Sequence, residues 1–182
     1  MLRTAYCVLR ISSQPHAIGS TKYAEIMESL FQYDIPVWHP LLVHFPIALI
    51  LAAALATVAW SIRGTSFWRR CALLLFTLGM GGGVLAYLTG ETMEEQSEGS
   101  PIVEELVGLH EDLALYTLLV TGATLAALAG LSWWLERRIT LERAPKDPLA
   151  ARLILALAAL AAALLVAWTG HVGGTMVWGV GG

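Results

Sequence analysis

HPLLVHFPIALILAAALATVAW, residues 39–60, decides what kind of molecule this chain makes. From Leu41 to Trp60 there is no charged side chain, and the only polar or helix-breaking residues are His44, Pro46 and Thr57. A helix of that length rises about 30 Å, the thickness of membrane hydrocarbon. Histidine is costly in hydrocarbon, and proline normally opens or breaks a helix. The run is therefore a membrane span whose entry, with His39, Pro40, His44 and Pro46, needs a second explanation.

The rest of the chain agrees with the first part of that reading. It is 57% hydrophobic and 14% charged, where soluble domains carry about a quarter charged residues. Three more apolar runs follow, from about Cys71 to Thr89, from Leu106 to Trp134, and from Leu153 into the glycine-rich end. None alternates apolar with polar as barrel strands do. The expectation is an all-α integral membrane protein with four transmembrane helices in an up-down bundle, over residues 38–182. Membrane lipids are its surroundings, and nothing in it points to nucleic acid. Cys7 and Cys71 stand alone and no C-x-x-C-H is present, which argues against covalent c-type haem, a cysteine metal site or a disulfide framework; no Walker loop, H-E-x-x-H or dinucleotide fingerprint appears either.

Charge sets the orientation. SIRGTSFWRR (61–70) holds Arg63, Arg69 and Arg70 without an acid, and the 136–152 connector holds Arg137, Arg138, Arg143, Lys146 and Arg152 against three acids. The 91–105 connector is purely acidic, with Glu91, Glu94, Glu95, Glu98, Glu104 and Glu105. Positive residues stay cytoplasmic, which places the acidic connector and both termini outside, on the periplasmic side of a bacterial inner membrane. Residues 1–37 lack the apolar core of a signal peptide. Thr21 is placed to cap a short helix through Phe31, whose apolar stripe (Tyr23, Ile26, Met27, Leu30) fits the membrane interface.

The spans also repeat. LAYLTGE (85–91) closes the second and LVAWTGH (165–171) the fourth, aligning Thr89-Gly90 with Thr169-Gly170 and Glu91 with His171. His39 opens the first span as His110 opens the third. Two helix hairpins in tandem follow, related by an axis along the membrane normal. Ser100-Pro101 is a helix start, serine as N-cap and proline at the first position, which puts His110 about 13 Å into the third helix. His44, His110 and His171 are thereby expected in one layer of the outer half, with Glu91 at its rim. Glycines 79, 81, 82, 83, 170, 173 and 174 lie beside them, either for close helix packing or to leave room for a flat cofactor.

HPLLVHFPIAL (39–49), TGE (89–91) and TGHVGGTMVWGVG (169–181) together resemble the motifs of the domain of unknown function 2231 family of bacterial membrane proteins. The resemblance covers residues 38–182. It implies four spans and draws attention to His39, His44, Glu91, His110 and His171. It brings no reaction with it, only a setting, since members are often encoded near c-type cytochromes.

Three functional classes remain open on the residues. Two imidazoles on facing helices can ligate the iron of a non-covalent haem b, His44 with His171 or His110 with His171. Thr89 or Thr169 would orient the unused ring nitrogen, and electrons would pass between a membrane quinone and an outer-side cytochrome. A metal site of His44, His110, His171 and Glu91 would suit zinc, iron or copper. The third class is a non-catalytic accessory subunit of a larger membrane complex, respiratory or photosynthetic. In each, the acidic 91–105 connector offers a surface to a basic partner such as a periplasmic cytochrome or another membrane subunit.

Overall fold

A computed structural model describes residues 38–94, 101–139 and 147–178. The expected interfacial helix near Thr21 lies outside the described residues. Four helices follow one another, α1 (Trp38–Arg63), α2 (Ser66–Glu94), α3 (Pro101–Ile139) and α4 (Leu149–Trp178), and there is no strand among the described residues. All four are long and apolar enough to cross a membrane. The start of α3 falls at Pro101, where the serine-proline signal puts it. The helices overrun the apolar segments at most ends, because helical hydrogen bonding continues into the interface after the side chains have become polar.

Neighbours in the bundle are α1 with α2, α3 with α4, α1 with α4 and α2 with α3; the first pair is the most closely packed and the last the least. This places α1 and α3 on one diagonal and α2 and α4 on the other. The interior is built on small side chains: Ala53, Ala54, Ala56, Ala72, Ala159 and Ala162 are buried, with Ile50, Trp60, Phe76, Leu128, Leu155 and Val166 between them. The long leucines point the other way, as with Leu55 and Leu164 at 71% and 72% exposure. This is the arrangement lipid imposes, since apolar burial between helices gains nothing over contact with acyl chains and close backbone approach must hold the bundle instead. Glycines serve that approach on α2. A Cβ on Gly79 would lie 3.0 Å from Ile50, and one on Gly82 would lie 3.3 Å from the ring of Pro46. Pro46 thus sits buried inside α1, with a glycine of α2 opposite its ring.

The end away from His39 is closed by a polar cluster. Asp147 Oδ2 accepts from Arg69 Nη1 at 2.6 Å and from Trp60 Nε1 at 2.8 Å. Arg69 is 1% exposed, although the sequence pattern counts it among the free charges of a basic connector. It lies in the first turn of α2 and points inward. Arg152 Nη1 donates to the Ser61 carbonyl at 3.1 Å, across the turn where Gly64 takes a φ of +68° and its N–H caps Trp60 O at 2.8 Å.

Candidate functional site

Two histidines meet across the α1–α3 diagonal. The rings of His39 and His110 have centroids 6.4 Å apart and planes at 83°. Each is held by the helix that follows it in the chain. His39 Nδ1 donates to the Ala86 carbonyl of α2 at 2.8 Å and stands 3.2 Å from Thr89 Oγ1. His110 Nδ1 donates to the Thr169 carbonyl of α4 at 3.0 Å. The repeat visible in the sequence is therefore a repeat of contacts: in each hairpin the opening histidine bonds the closing helix near its threonine-glycine pair.

Glycine makes both contacts possible. A Cβ on Gly90 would stand 3.1 Å from His39 Cε1, and one on Gly173 would stand 3.0 Å from His110 Cε1. Both distances are tighter than a side chain tolerates without moving the ring. Below His110 the Thr117 and Thr169 hydroxyls stand 3.1 Å apart; one donates to a carbonyl of its own helix, Leu113 O or Leu165 O, and accepts from the other. Beside it, Tyr87 donates to Glu111 Oε1 at 3.2 Å between α2 and α3.

The hydrogen bonds fix the chemistry of the rings. A carbonyl only accepts, so each bonded Nδ1 carries the proton and each neutral ring keeps its lone pair on Nε2. An imidazole anchored through Nδ1 to a carbonyl is oriented as metal-ligating histidines are.

The other candidates are placed elsewhere. His44 is exposed on α1 and bonds its own helix, Nδ1 to Pro40 O at 2.6 Å. His171 and Glu91 are also exposed. Thr89 and Thr169 do stand at the rings, Thr89 through its hydroxyl and Thr169 through its backbone carbonyl. Of the histidines expected to share a layer, the structure brings His110 inward and pairs it with His39. Among the described residues no group of three or more His, Cys, Asp or Glu side chains is placed to hold a metal ion. His39 reads in the sequence as a residue that caps the first helix or meets lipid headgroups. The signal that finds it is the repeat itself, in which His39 and His110 occupy equivalent positions.

Four membrane-spanning helices with a pair of inward imidazoles near one end define a small multi-span membrane protein. The family model described as "Predicted membrane protein (DUF2231)" matches residues 35–182, and the chain belongs to that family. No curated protein and no solved structure matches it.

Proposed function

We propose that the protein is a haem b-binding electron-transfer component of the bacterial inner membrane, in which His39 and His110 would hold the haem. The observation that carries this reading is the pairing of the rings. Two facing imidazoles, each anchored through Nδ1 to a carbonyl and keeping its lone pair on Nε2, are the donor set that a b-type haem would take from the protein. The rings stand at 6.4 Å. Ligand count favours haem over a bare ion. A porphyrin supplies four donors and asks the protein for two, whereas zinc takes three or four from side chains. Gly90 on α2 and Gly173 on α4 are the small residues that flank the two rings.

When bound, haem supplies one-electron redox chemistry at the iron. The chain's own residues hold the imidazoles through Ala86 O and Thr169 O, keep the lone pairs on Nε2, and surround the centre with apolar helices that exclude water. The positive-inside pattern puts this layer in the outer half of the membrane, with both termini periplasmic. Electrons would come from a membrane quinol and leave to a periplasmic cytochrome drawn to the acidic 91–105 connector.

The test is the absorption spectrum of the purified protein, oxidised and dithionite-reduced, with iron analysis. Wild type is expected to show a sharp reduced band that His39→Ala or His110→Ala abolishes and that His44→Ala and His171→Ala leave in place. Folded protein free of iron would overturn the reading in favour of a non-catalytic subunit, and loss of the band with His171 rather than His39 would move the ligand.

A further inference from the structure

We infer that Tyr87 and Glu111 form a binding and proton-accepting site for the hydroxyl of a lipid-soluble quinol, at the seam between α2 and α3. The inference rests on the haem reading and locates where its reductant enters.

Glutamate inside a membrane-spanning helix is costly and calls for a function or a partner. Glu111 lies within the α3 span and its one described hydrogen bond is from the Tyr87 hydroxyl, at 3.2 Å. The pair flanks both halves of the histidine site: Tyr87 follows Ala86, whose carbonyl anchors His39, and Glu111 follows His110. Successive helical residues point about 100° apart, so with His110 directed across the bundle Glu111 is turned into the seam.

That seam is the least closely packed of the four. Below the pair it is held by small-to-large contacts, a Gly83 Cβ position 2.9 Å from Leu118 and a Gly122 Cβ position 3.5 Å from Met80. At the level of the pair it faces lipid: Leu115, one turn from Glu111, is 42% exposed, and Val84, one turn from Tyr87, is 40% exposed. Tyr87 and Glu111 are themselves half-buried, reachable from the acyl region without being solvated.

The repeat supplies a comparison within the molecule. With Thr89 matched to Thr169 and His110 to His39, the counterparts of Tyr87 and Glu111 are Ala167 and Pro40. The α4–α1 seam therefore has the same backbone scheme and no ionisable group at the equivalent place. Packing does not require a carboxylate there. An acid–hydroxyl pair on one seam alone marks that seam as the one that handles protons.

A quinol seated here would replace the Tyr87–Glu111 bond, donating one hydroxyl to Glu111 and accepting the Tyr87 proton at its oxygen. On oxidation Glu111 would take the proton as the O–H bond breaks, and a bound haem would supply the one-electron acceptor. The electron leaves to a one-electron acceptor of the cytochrome class and the proton to the acidic outer connector. A second electron passed to the same acceptor once it is reoxidised, with the other hydroxyl's proton released to water at the outer surface, would complete the oxidation to quinone.

The experiment is stopped-flow reduction of the purified holoprotein by decylubiquinol, with dithionite as the control reductant. Glu111→Gln should slow quinol reduction about 100-fold, the usual size of an acid–base contribution, with an unchanged reduced spectrum and unchanged dithionite reduction. Glu111→Asp should restore part of the rate, and Tyr87→Phe should weaken the dependence on quinol concentration. Wild-type rates in Glu111→Gln with haem intact would overturn the site and leave the haem reading standing. A wild-type protein with no haem band would overturn both.

Discussion

Arg69 and Asp147, far apart in sequence, form a buried ion pair of 2.6 Å with side-chain exposures of 1% and 8%. It ties the first turn of α2 to the approach to α4, and the Trp60 indole brings α1 into the same carboxylate. Removing one member leaves a charge in an apolar surround, which costs about 3–5 kcal/mol. Asp147→Ala is therefore expected to lower the melting temperature in detergent sharply. The double replacement Arg69→Met with Asp147→Leu should recover most of that loss. Equal melting temperatures for Asp147→Ala and wild type would show that the pair contributes nothing to stability.

Gly90 and Gly173 should resist even alanine. A Cβ at either stands about a methyl contact too close to an imidazole, at 3.1 Å from His39 and 3.0 Å from His110. Gly81 and Gly174 have nothing within 4 Å of that position. On the haem proposal, Gly90→Ala and Gly173→Ala are expected to reduce haem content or shift the reduced band, while Gly81→Ala and Gly174→Ala leave both unchanged. Pyridine haemochrome titration of the four variants reads the difference.

Thr121 and Thr117 offer a matched pair. Thr121 is fully buried, and its hydroxyl meets no partner among the described residues. The hydroxyl of Thr117 is bonded to both Leu113 O and Thr169. An isosteric valine removes an unsatisfied group in the first case and strands Thr169's contact in the second. Thr121→Val should hold or raise stability, by up to about 1 kcal/mol, and Thr117→Val should lower it by a similar amount. Thermal unfolding followed by tryptophan fluorescence gives both signs.

Gly64 joins α1 to α2 at φ +68°, and a Cβ there would come 2.6 Å from the Arg152 guanidinium. A left-handed conformation costs a side-chain-bearing residue about 1–2 kcal/mol before any clash is counted. Gly64→Val is expected to destabilise the hairpin by at least that much, seen as a lower denaturation midpoint. The proposed orientation is tested at the neighbouring position: Thr65→Cys should react with impermeant maleimide only after the membrane is opened. Labelling in intact cells would invert the topology.

Long-range order and short-range order were not equally visible in the sequence. The spans could be read because twenty apolar residues in a row have few other uses, and the start of α3 because Ser100-Pro101 is a local signal. The hairpin repeat was visible in two threonine-glycine pairs. His39 was harder, since a histidine next to Pro40 at a helix entry is explained well enough by capping, and its true neighbour is seventy residues away. His44 and His171 show the converse: both sit beside suggestive motifs, yet helix rotation turns them outward. The Arg69–Asp147 pair had no pattern at all, because each residue belongs to a charged connector that looks solvated until the ends of three helices are brought together.

The anchoring of the two imidazoles has a consequence for assembly. His39 is hydrogen-bonded within the α1–α2 hairpin, and His110 within the α3–α4 hairpin. Neither half needs the other to aim its own ring. Docking the halves sets only the gap between the rings, which makes that gap a gauge of how far apart the two hairpins stand. A molecule that bridges the rings would act as a clasp on the assembled bundle, and two separately made hairpins would carry all the information needed to find each other.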